Sequence, residues 1–368
     1  MSTALASTAA TPPKPETVAP EVIPIDLAAT LDGFGSRLPE VLVPAPARDA
    51  LVAFTRGLPP LFQWVMLEHR LTGPADARVD LLASLIDAGG PASSGARAAI
   101  GRTVASAAGH PALAGVRLLE PWCQGGDLAA VHVLWLEGDA PYGRVPLQMV
   151  SVDRRFWGPR DGPRPTPAEQ VALAAAGYRH TFGAPHDAGI LAGIERAIAL
   201  LPASASAIFA ASLRPRGVDV DRLFVEVPRE GVLPWLAAIG WPGDRDAARA
   251  WLGDVVAPWE PAYLQVELGP GGVGPYLGIE PRQTGGMRSE RRERRRFLER
   301  LVADGRTSAD KVAALLAWEG EARVLGPGGA RRELRSFHLK CVSTAGERPE
   351  VKAYLGFHYR PLAPGLVR

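Results

Sequence analysis

Near the C-terminus, Lys352-Ala353-Tyr354 sets an ammonium and a phenol two residues apart, and Ser336–Val342 sets His338 and Lys340 at the same spacing. Residues two apart on an extended chain share one face. Lys352 and Tyr354 therefore stand side by side, His338 and Lys340 likewise, and His358 and Arg360 continue the first row. An ammonium can neutralise an anionic group, and an imidazole can move protons near neutral pH. Glu68 and Glu137 fall in similar apolar-alternating runs earlier in the chain. A carboxylate placed there could take a proton from a nucleophile. Arg222, Tyr263, Glu267, Tyr276, Glu280 and Trp64 occupy the same parity in other runs and complete a candidate substrate-binding set.

Those runs are strand pairs. Apolar alternation around a Gly or Pro turn reads as a β-hairpin, and five segments have this form: Phe62–Arg70 with Ala77–Ile86, Leu128–Glu137 with Val145–Val152, Ala207–Arg214 with Asp221–Val227, Ala262–Leu268 with Pro275–Glu280, and Ser336–Val342 with Val351–Tyr359. Their turns carry Gly73, Gly143, Gly217, Gly272 and Gly346. Helical periodicity fills the intervals: Asp32–Leu42 with Pro46–Leu58, Arg97–Ala108, Glu169–Thr181 with Ala188–Leu201, Val232–Ile239 with Asp244–Val256, and Arg288–Asp304 with Ser308–Trp318. Asp244 and Ser308 are N-cap residues by type and place. Tight hairpins make antiparallel strands, and closure removes both free edges. The expected fold is α+β: a ten-stranded antiparallel β-barrel from five hairpins, surrounded by paired α-helices, in one domain over 24–368. Residues 1–23, rich in Ala, Thr and Pro, read as a disordered tail.

Helices outside a barrel require an apolar outer strand face. The last strand separates into Val351, Ala353, Leu355, Phe357 and Tyr359 against Lys352, Tyr354, Gly356, His358 and Arg360. Leu264, Val266 and Leu268 likewise oppose Tyr263, Gln265 and Glu267, and Val65 and Leu67 oppose Trp64, Met66 and Glu68. Trp135 and Glu137 face inward, with Gln148 as a companion. A lumen walled by aromatics with a few charged groups has the character of a small-molecule site.

Composition excludes several classes. With 41 basic and 39 acidic residues the net charge is +2, so nothing global attracts nucleic acid. No apolar run reaches membrane-spanning length and no secretory signal is present, so a cytoplasmic protein with no membrane partner is expected. Two cysteines, Cys123 and Cys341, suggest neither a disulfide framework nor a zinc site. His180 and His186 with Asp187 flank a helix–loop junction and take a structural role, so no metal is expected. Gly269-Pro270-Gly271-Gly272-Val273-Gly274 lies between two strands and is a hairpin turn rather than a nucleotide loop. The arginines of Arg288–Arg300 alternate with Glu290, Glu293 and Glu299 and read as a solvated helix face, its alternative use being to bind an acidic peptide.

This repeat of paired helices and paired strands resembles the prenyltransferase barrel of the ABBA family, over nearly the whole chain after the tail. Many members carry inward Lys-x-Tyr pairs, matched here by Lys352-Ala353-Tyr354. The resemblance implies a lumenal active site in which Lys352, Lys340 and Arg222 hold an allylic prenyl diphosphate co-substrate and Tyr354, Tyr276 and Tyr263 shield the cation. The acceptor would be a small aromatic molecule or a precursor peptide in natural-product biosynthesis. Only one strand has the full Lys-x-Tyr pair, and the inward parity holds Glu68, Asp80, Glu137, Glu226, Glu267 and Glu280. Carboxylates repel a diphosphate. A second reading keeps the barrel without the prenyl donor. It assigns acid–base chemistry, such as thioether ring closure on a ribosomal peptide, to Glu68, Glu137, His338 and His358. A third is a non-catalytic peptide- or ligand-binding barrel.

Overall fold

The structure is a computed structural model and describes residues 24–58, 60, 62–72, 78–86, 101–102, 119–124, 128, 131, 133–138, 147–153, 163–182, 185–256, 261–281, 288–326, 329–344 and 349–362. The tail assigned to 1–23, most of the helix assigned to Arg97–Ala108, and the turn residues Gly73, Gly143 and Gly346 lie outside the described residues.

The strands are β1 (Trp64–Arg70), β2 (Val79–Ile86), β3 (Val133–Gly138), β4 (Leu147–Ser151), β5 (Ser206–Ser212), β6 (Asp221–Pro228), β7 (Pro261–Gly269), β8 (Gly272–Pro281), β9 (Gly320–Gly326), β10 (Gly329–Ser343) and β11 (Glu350–Pro361). All pairings are antiparallel. The order β11-β1-β2-β3-β4-β5-β6-β7-β8-β10 closes through β10–β11 into a ten-stranded barrel. The five expected hairpins are its repeat units. An eleventh strand, β9, was not expected: in Gly320–Gly326 only Ala322 and Val324 make an apolar face, too short a run to mark a strand. It pairs with the first half of β10, which is a 15-residue strand rather than the short Ser336–Val342. β10 thus changes neighbour along its length, with Gly329–Arg335 on β9 and Cys341–Ser343 on β8.

Nine helices surround the barrel among the described residues: α1 (Leu27–Phe34), α2 (Ala45–Thr55), α3 (Leu119–Gln124), α4 (Pro167–Phe182), α5 (Ala188–Ala199), α6 (Arg229–Ala238), α7 (Arg245–Val255), α8 (Arg288–Ala303) and α9 (Ala309–Trp318). Asp244 and Ser308 cap α7 and α9 through backbone amides, as their types required. The first helix begins earlier than the expected Asp32–Leu42. Asp26 accepts from the Ala29 amide, and Gly35 at φ 49° ends the helix. That frame turns Leu27, Leu31 and Phe34 onto the barrel wall.

Helix tryptophans fasten the outer layer. The indole of Trp318 donates to the carbonyls of Ser336 and Gly356 at 3.0 and 3.3 Å, so one α9 side chain spans β10 and β11. Trp235 of α6 donates to the Ala197 carbonyl at 3.0 Å. Burying an indole with its N–H satisfied combines large apolar area with a fixed orientation.

The outer core forms two clusters. One joins β1–β4, β10 and β11 to α1–α3, α8, α9 and Ala176 of α4; the other joins β5–β8 to α4–α7, and Leu173 and Trp251 pack against both. The strands of the two halves meet along two short seams, β4–β5 and β8–β10, each holding three registered residue pairs among the described residues. A third apolar cluster lies inside the barrel and takes side chains from both halves, including Leu82, Trp135 and Met149 from one and Ile208, Phe209 and Ala211 from the other. No helix among the described residues is long and apolar enough to cross a membrane.

Candidate active site in the barrel lumen

Strand alternation places the expected apolar faces outward. Val351, Ala353, Leu355, Phe357 and Tyr359 all join the outer core. The opposite face encloses a cavity of about 280 Å³. Trp64, Met66, Leu82, Trp135, Met149 and Phe224 supply much of its apolar wall. A bulge between Ala207 and Phe209 lets two consecutive residues, Ile208 and Phe209, both line the lumen. An extra residue in one strand breaks the alternation locally, which thickens the apolar wall at that point.

A hydrogen-bonded polar group faces this wall. The Lys340 ammonium, with its side chain 4% exposed, lies 2.5 Å from Gln265 Oε1 and 3.8 Å from Glu280 Oε1. Gln265 donates its amide N–H to Glu280 Oε1 at 2.6 Å. The other Glu280 oxygen lies 3.3 Å from His338 Nε2. The His338 ring is stacked on Tyr354, with centroids 4.3 Å apart and planes within 4°. His338 Nδ1 is buried and has no hydrogen-bond partner among the described residues. Burial pushes the Glu280 carboxyl up, but the His338 hydrogen bond and the Lys340 charge outweigh it and hold the group below its usual range.

Behind Tyr354, Glu68 accepts from the Lys352 ammonium at 2.5 Å. Burial opposes ionisation of Glu68, but the charges of Lys352 and Lys340, with hydrogen bonds from Lys352 and Tyr354, bring its pKa down to about 2. Burial opposes protonation of Lys352, yet Glu68 raises its pKa above the ordinary lysine value. Burial, followed by the nearby carboxylates Glu68, Glu280 and Glu137, pushes the Tyr354 phenol well up, so it keeps its proton, which it donates to Glu68. Arg222 donates to Glu267 at 2.5 Å, and its guanidinium lies 4.2 Å from the Tyr276 ring centroid. Arg216, from the β5–β6 turn, reaches Glu137 at 2.8 Å.

The expected site residues therefore divide by place. Trp64, Glu137, Tyr263, Glu280, His338, Lys340 and Tyr354 line the cavity. Glu68, Lys352, Arg222, Glu267 and Tyr276 stand outside that lining. Glu68 and Lys352 connect to it through Tyr354, and Tyr276 through Gln265 and Lys340. His358 is set apart. It is four residues along β11 from Tyr354, about 13 Å at strand rise, with its ring 5.0 Å from Trp64. Burial, then Arg360 and Arg332, lower its pKa to about 4, so it is neutral at pH 7.

Gln148 is corrected. Opposite Leu136 it faces outward, and its side chain accepts from the Thr181 hydroxyl of α4 at 3.1 Å. Met149 and Leu147 take the inward places in β4. Two contributors were unforeseen: Gln265 as the bridge between Lys340 and Glu280, and Arg216 as the partner of Glu137. The inward parity of Gln265 was the available signal; a turn arginine offers none. His186 meets Asp221 at 2.5 Å with both side chains fully buried, and its ring lies 4.3 Å from Tyr178. That cluster ties α4 and the start of β6 together, while Asp187 caps α5.

Gly278 fixes where Lys340 lies. A Cβ on Gly278 would approach Lys340 Cε to 2.8 Å. Since the atom met is the far end of a flexible chain, Gly278→Ala is expected to leave the fold intact, at a cost within the about 1–3 kcal/mol of overpacking. It should displace the ammonium from Gln265 and Glu280. An unfolding midpoint near wild type with weaker ligand binding in the lumen is the expected pair of readings; an unchanged ligand affinity would show that the lysine position is immaterial.

No family model matches the chain, and no curated protein matches it. The closed ten-stranded antiparallel barrel with helices outside is compatible with a prenyltransferase-type barrel.

Proposed function

We propose that the lumen is an enzyme active site that performs acid–base chemistry on an apolar, uncharged substrate group. Such a group is offered by an aromatic small molecule or by a modified side chain of a precursor peptide. The observation that carries this reading is charge balance. Glu68, Glu137, Glu267 and Glu280 are each engaged by Lys352, Arg216, Arg222, or His338 with Lys340. The lumen therefore has little surplus positive charge for a multiply charged anion. What it offers the cavity is the His338–Glu280 pair, with a buried imidazole nitrogen still to be satisfied, opposite an apolar wall. His338 would transfer the proton. Glu280 would orient the ring and stabilise its charged form, and Lys340 and Gln265 would hold Glu280 in place.

Prenyl transfer is the second reading, favoured by one specific arrangement. Arg222 and Lys340 approach the Tyr276 ring at 4.2 and 5.9 Å, and Lys352 lies behind Tyr354. A diphosphate bound there would have to displace Glu267 and Glu280 from their cations. The readings separate in one reconstitution. Purified protein is incubated with aromatic acceptors and with dehydrated cysteine-containing peptides, each with and without dimethylallyl and geranyl diphosphate, and the products are read by mass spectrometry. A product formed without diphosphate and lost in His338→Ala is expected. A product that requires the diphosphate would overturn the acid–base reading in favour of prenyl transfer.

A further inference from the structure

Beyond its ten-stranded wall, the barrel carries a ribbon of β9, the first half of β10 and the end of β11. Its two faces treat arginine differently. On the helix-facing side, Arg37 and Arg335 meet the buried Glu333 at 3.0 and 3.5 Å, and Arg331 lies 3.8 Å over the Tyr359 ring. On the other side, Arg332 is directly opposite Arg323 on β9 and Arg360 on β11. All three are exposed. Arg332 meets only the exposed Glu321, at 2.6 Å, and Arg323 and Arg360 make no ion pair among the described residues. Like charges directly opposite on neighbouring strands are unfavourable, so this row works against the ribbon that carries it.

Two further features share that face. Leu325, in register with Ala330, is 87% exposed. Among the described residues β9 pairs on one side only, which leaves a row of backbone groups open to a further strand. Strand parity is unbroken from Arg332 to His338, so the arginine row lies on the face that continues into the lumen. The separation is six residues, about 20 Å at strand rise.

We propose that this ribbon docks an extended acidic peptide segment, which adds as a strand to the edge of β9. Its carboxylates would neutralise Arg323, Arg332 and Arg360, and an apolar side chain would cover Leu325. Backbone pairing supplies affinity in this mode and alternate side chains supply selectivity. A segment held there lies within reach of the lumen mouth, but the docking proposal does not depend on which reaction the lumen performs.

The test uses the whole chain and a fluorescent peptide of alternating glutamate and valine, about ten residues long, enough to span an ordinary strand. Anisotropy titration is expected to show binding that weakens with salt. The triple variant R323Q/R332Q/R360Q removes exposed, mutually repelling charges, so its unfolding midpoint should lie at or above that of wild type, and it should bind at least about tenfold more weakly. A probe N-methylated at alternate residues keeps its charge but cannot pair as a strand, and should lose binding to a similar extent. Four results would overturn the proposal: no binding of the acidic probe, unchanged affinity in the triple variant, equal affinity of the N-methylated probe, or equally tight, arginine-dependent binding of oligothymidylate. The last would mark a site for nucleic acid instead.

Discussion

Lys352→Met is expected to destabilise the protein by about 3–5 kcal/mol at neutral pH, the range for leaving a buried charge without its partner. Glu68 is 4% exposed and Lys352 contacts it at 2.5 Å. The depression of the Glu68 pKa from 4.5 to about 2 corresponds to about 3 kcal/mol on its own, which agrees with that range. A depressed carboxyl contributes stability above its unfolded pKa and loses it as pH falls through the folded value. Wild type should therefore lose this contribution between about pH 4.5 and 2. The raised Lys352 pKa acts in the alkaline range: its contribution is full below the ordinary lysine pKa and is lost as pH rises above it. In Lys352→Met the desolvation of Glu68 is opposed mainly by Lys340, so the carboxyl pKa rises. The variant should then gain stability relative to wild type on acidification. Urea midpoints between pH 7 and pH 3 measure this. Glu68→Gln combined with Lys352→Met should recover most of the loss, because no uncompensated charge remains. A single variant as stable as wild type at pH 7 would show that water already screens the pair.

His338→Ala carries the largest expected effect on activity, a fall of about 10²–10⁴ in kcat, the usual contribution of a positioned acid or base. KM should change less, because the apolar wall that holds the substrate is untouched. Removing the imidazole also removes the hydrogen bond that helps to hold Glu280 ionised, so the carboxyl pKa should rise. A carboxyl titration of the variant followed by NMR should show that rise. Glu280→Gln keeps the shape of the side chain and should lose most of the rate through the histidine it no longer stabilises. If His338→Ala lowers kcat/KM only through KM, the ring binds rather than transfers protons. His358→Ala is the internal comparison: its neutral ring beside Trp64 is remote from Glu280 and should leave kcat nearly unchanged.

The barrel was legible in the sequence because two of its signals are local. Turn glycines mark the hairpins, and period-two alternation assigns faces. Leu264, Val266 and Leu268 and their counterparts on β11 fell on the predicted side without exception. Caps of one residue type at one position, such as Asp244 and Ser308, were equally readable. What the sequence withheld is whatever depends on stagger between strands. Parity places Lys352 and Lys340 on one face, but not one behind Tyr354 and the other in the cavity wall. The Ile208–Phe209 bulge breaks the parity on which the reading relied. The apparent excess of carboxylates vanished for a related reason: Arg216 reaches Glu137 from 79 residues away, across strands that are not neighbours in the chain.

The two narrow seams of the sheet are bridged from outside. Three pairs at β4–β5 and three at β8–β10 join the strands of the two halves. The outer cores nevertheless share helices: Ala176 of α4 packs in one core while Ala174 and Tyr178 pack in the other, and Leu173 of α4 and Trp251 of α7 touch both. These two helices act as straps over the places where strand pairing is shortest, and the inner cluster ties the same two halves from within. Truncating Trp251 would therefore loosen both cores at once, because it removes a fastening between them rather than a piece of either.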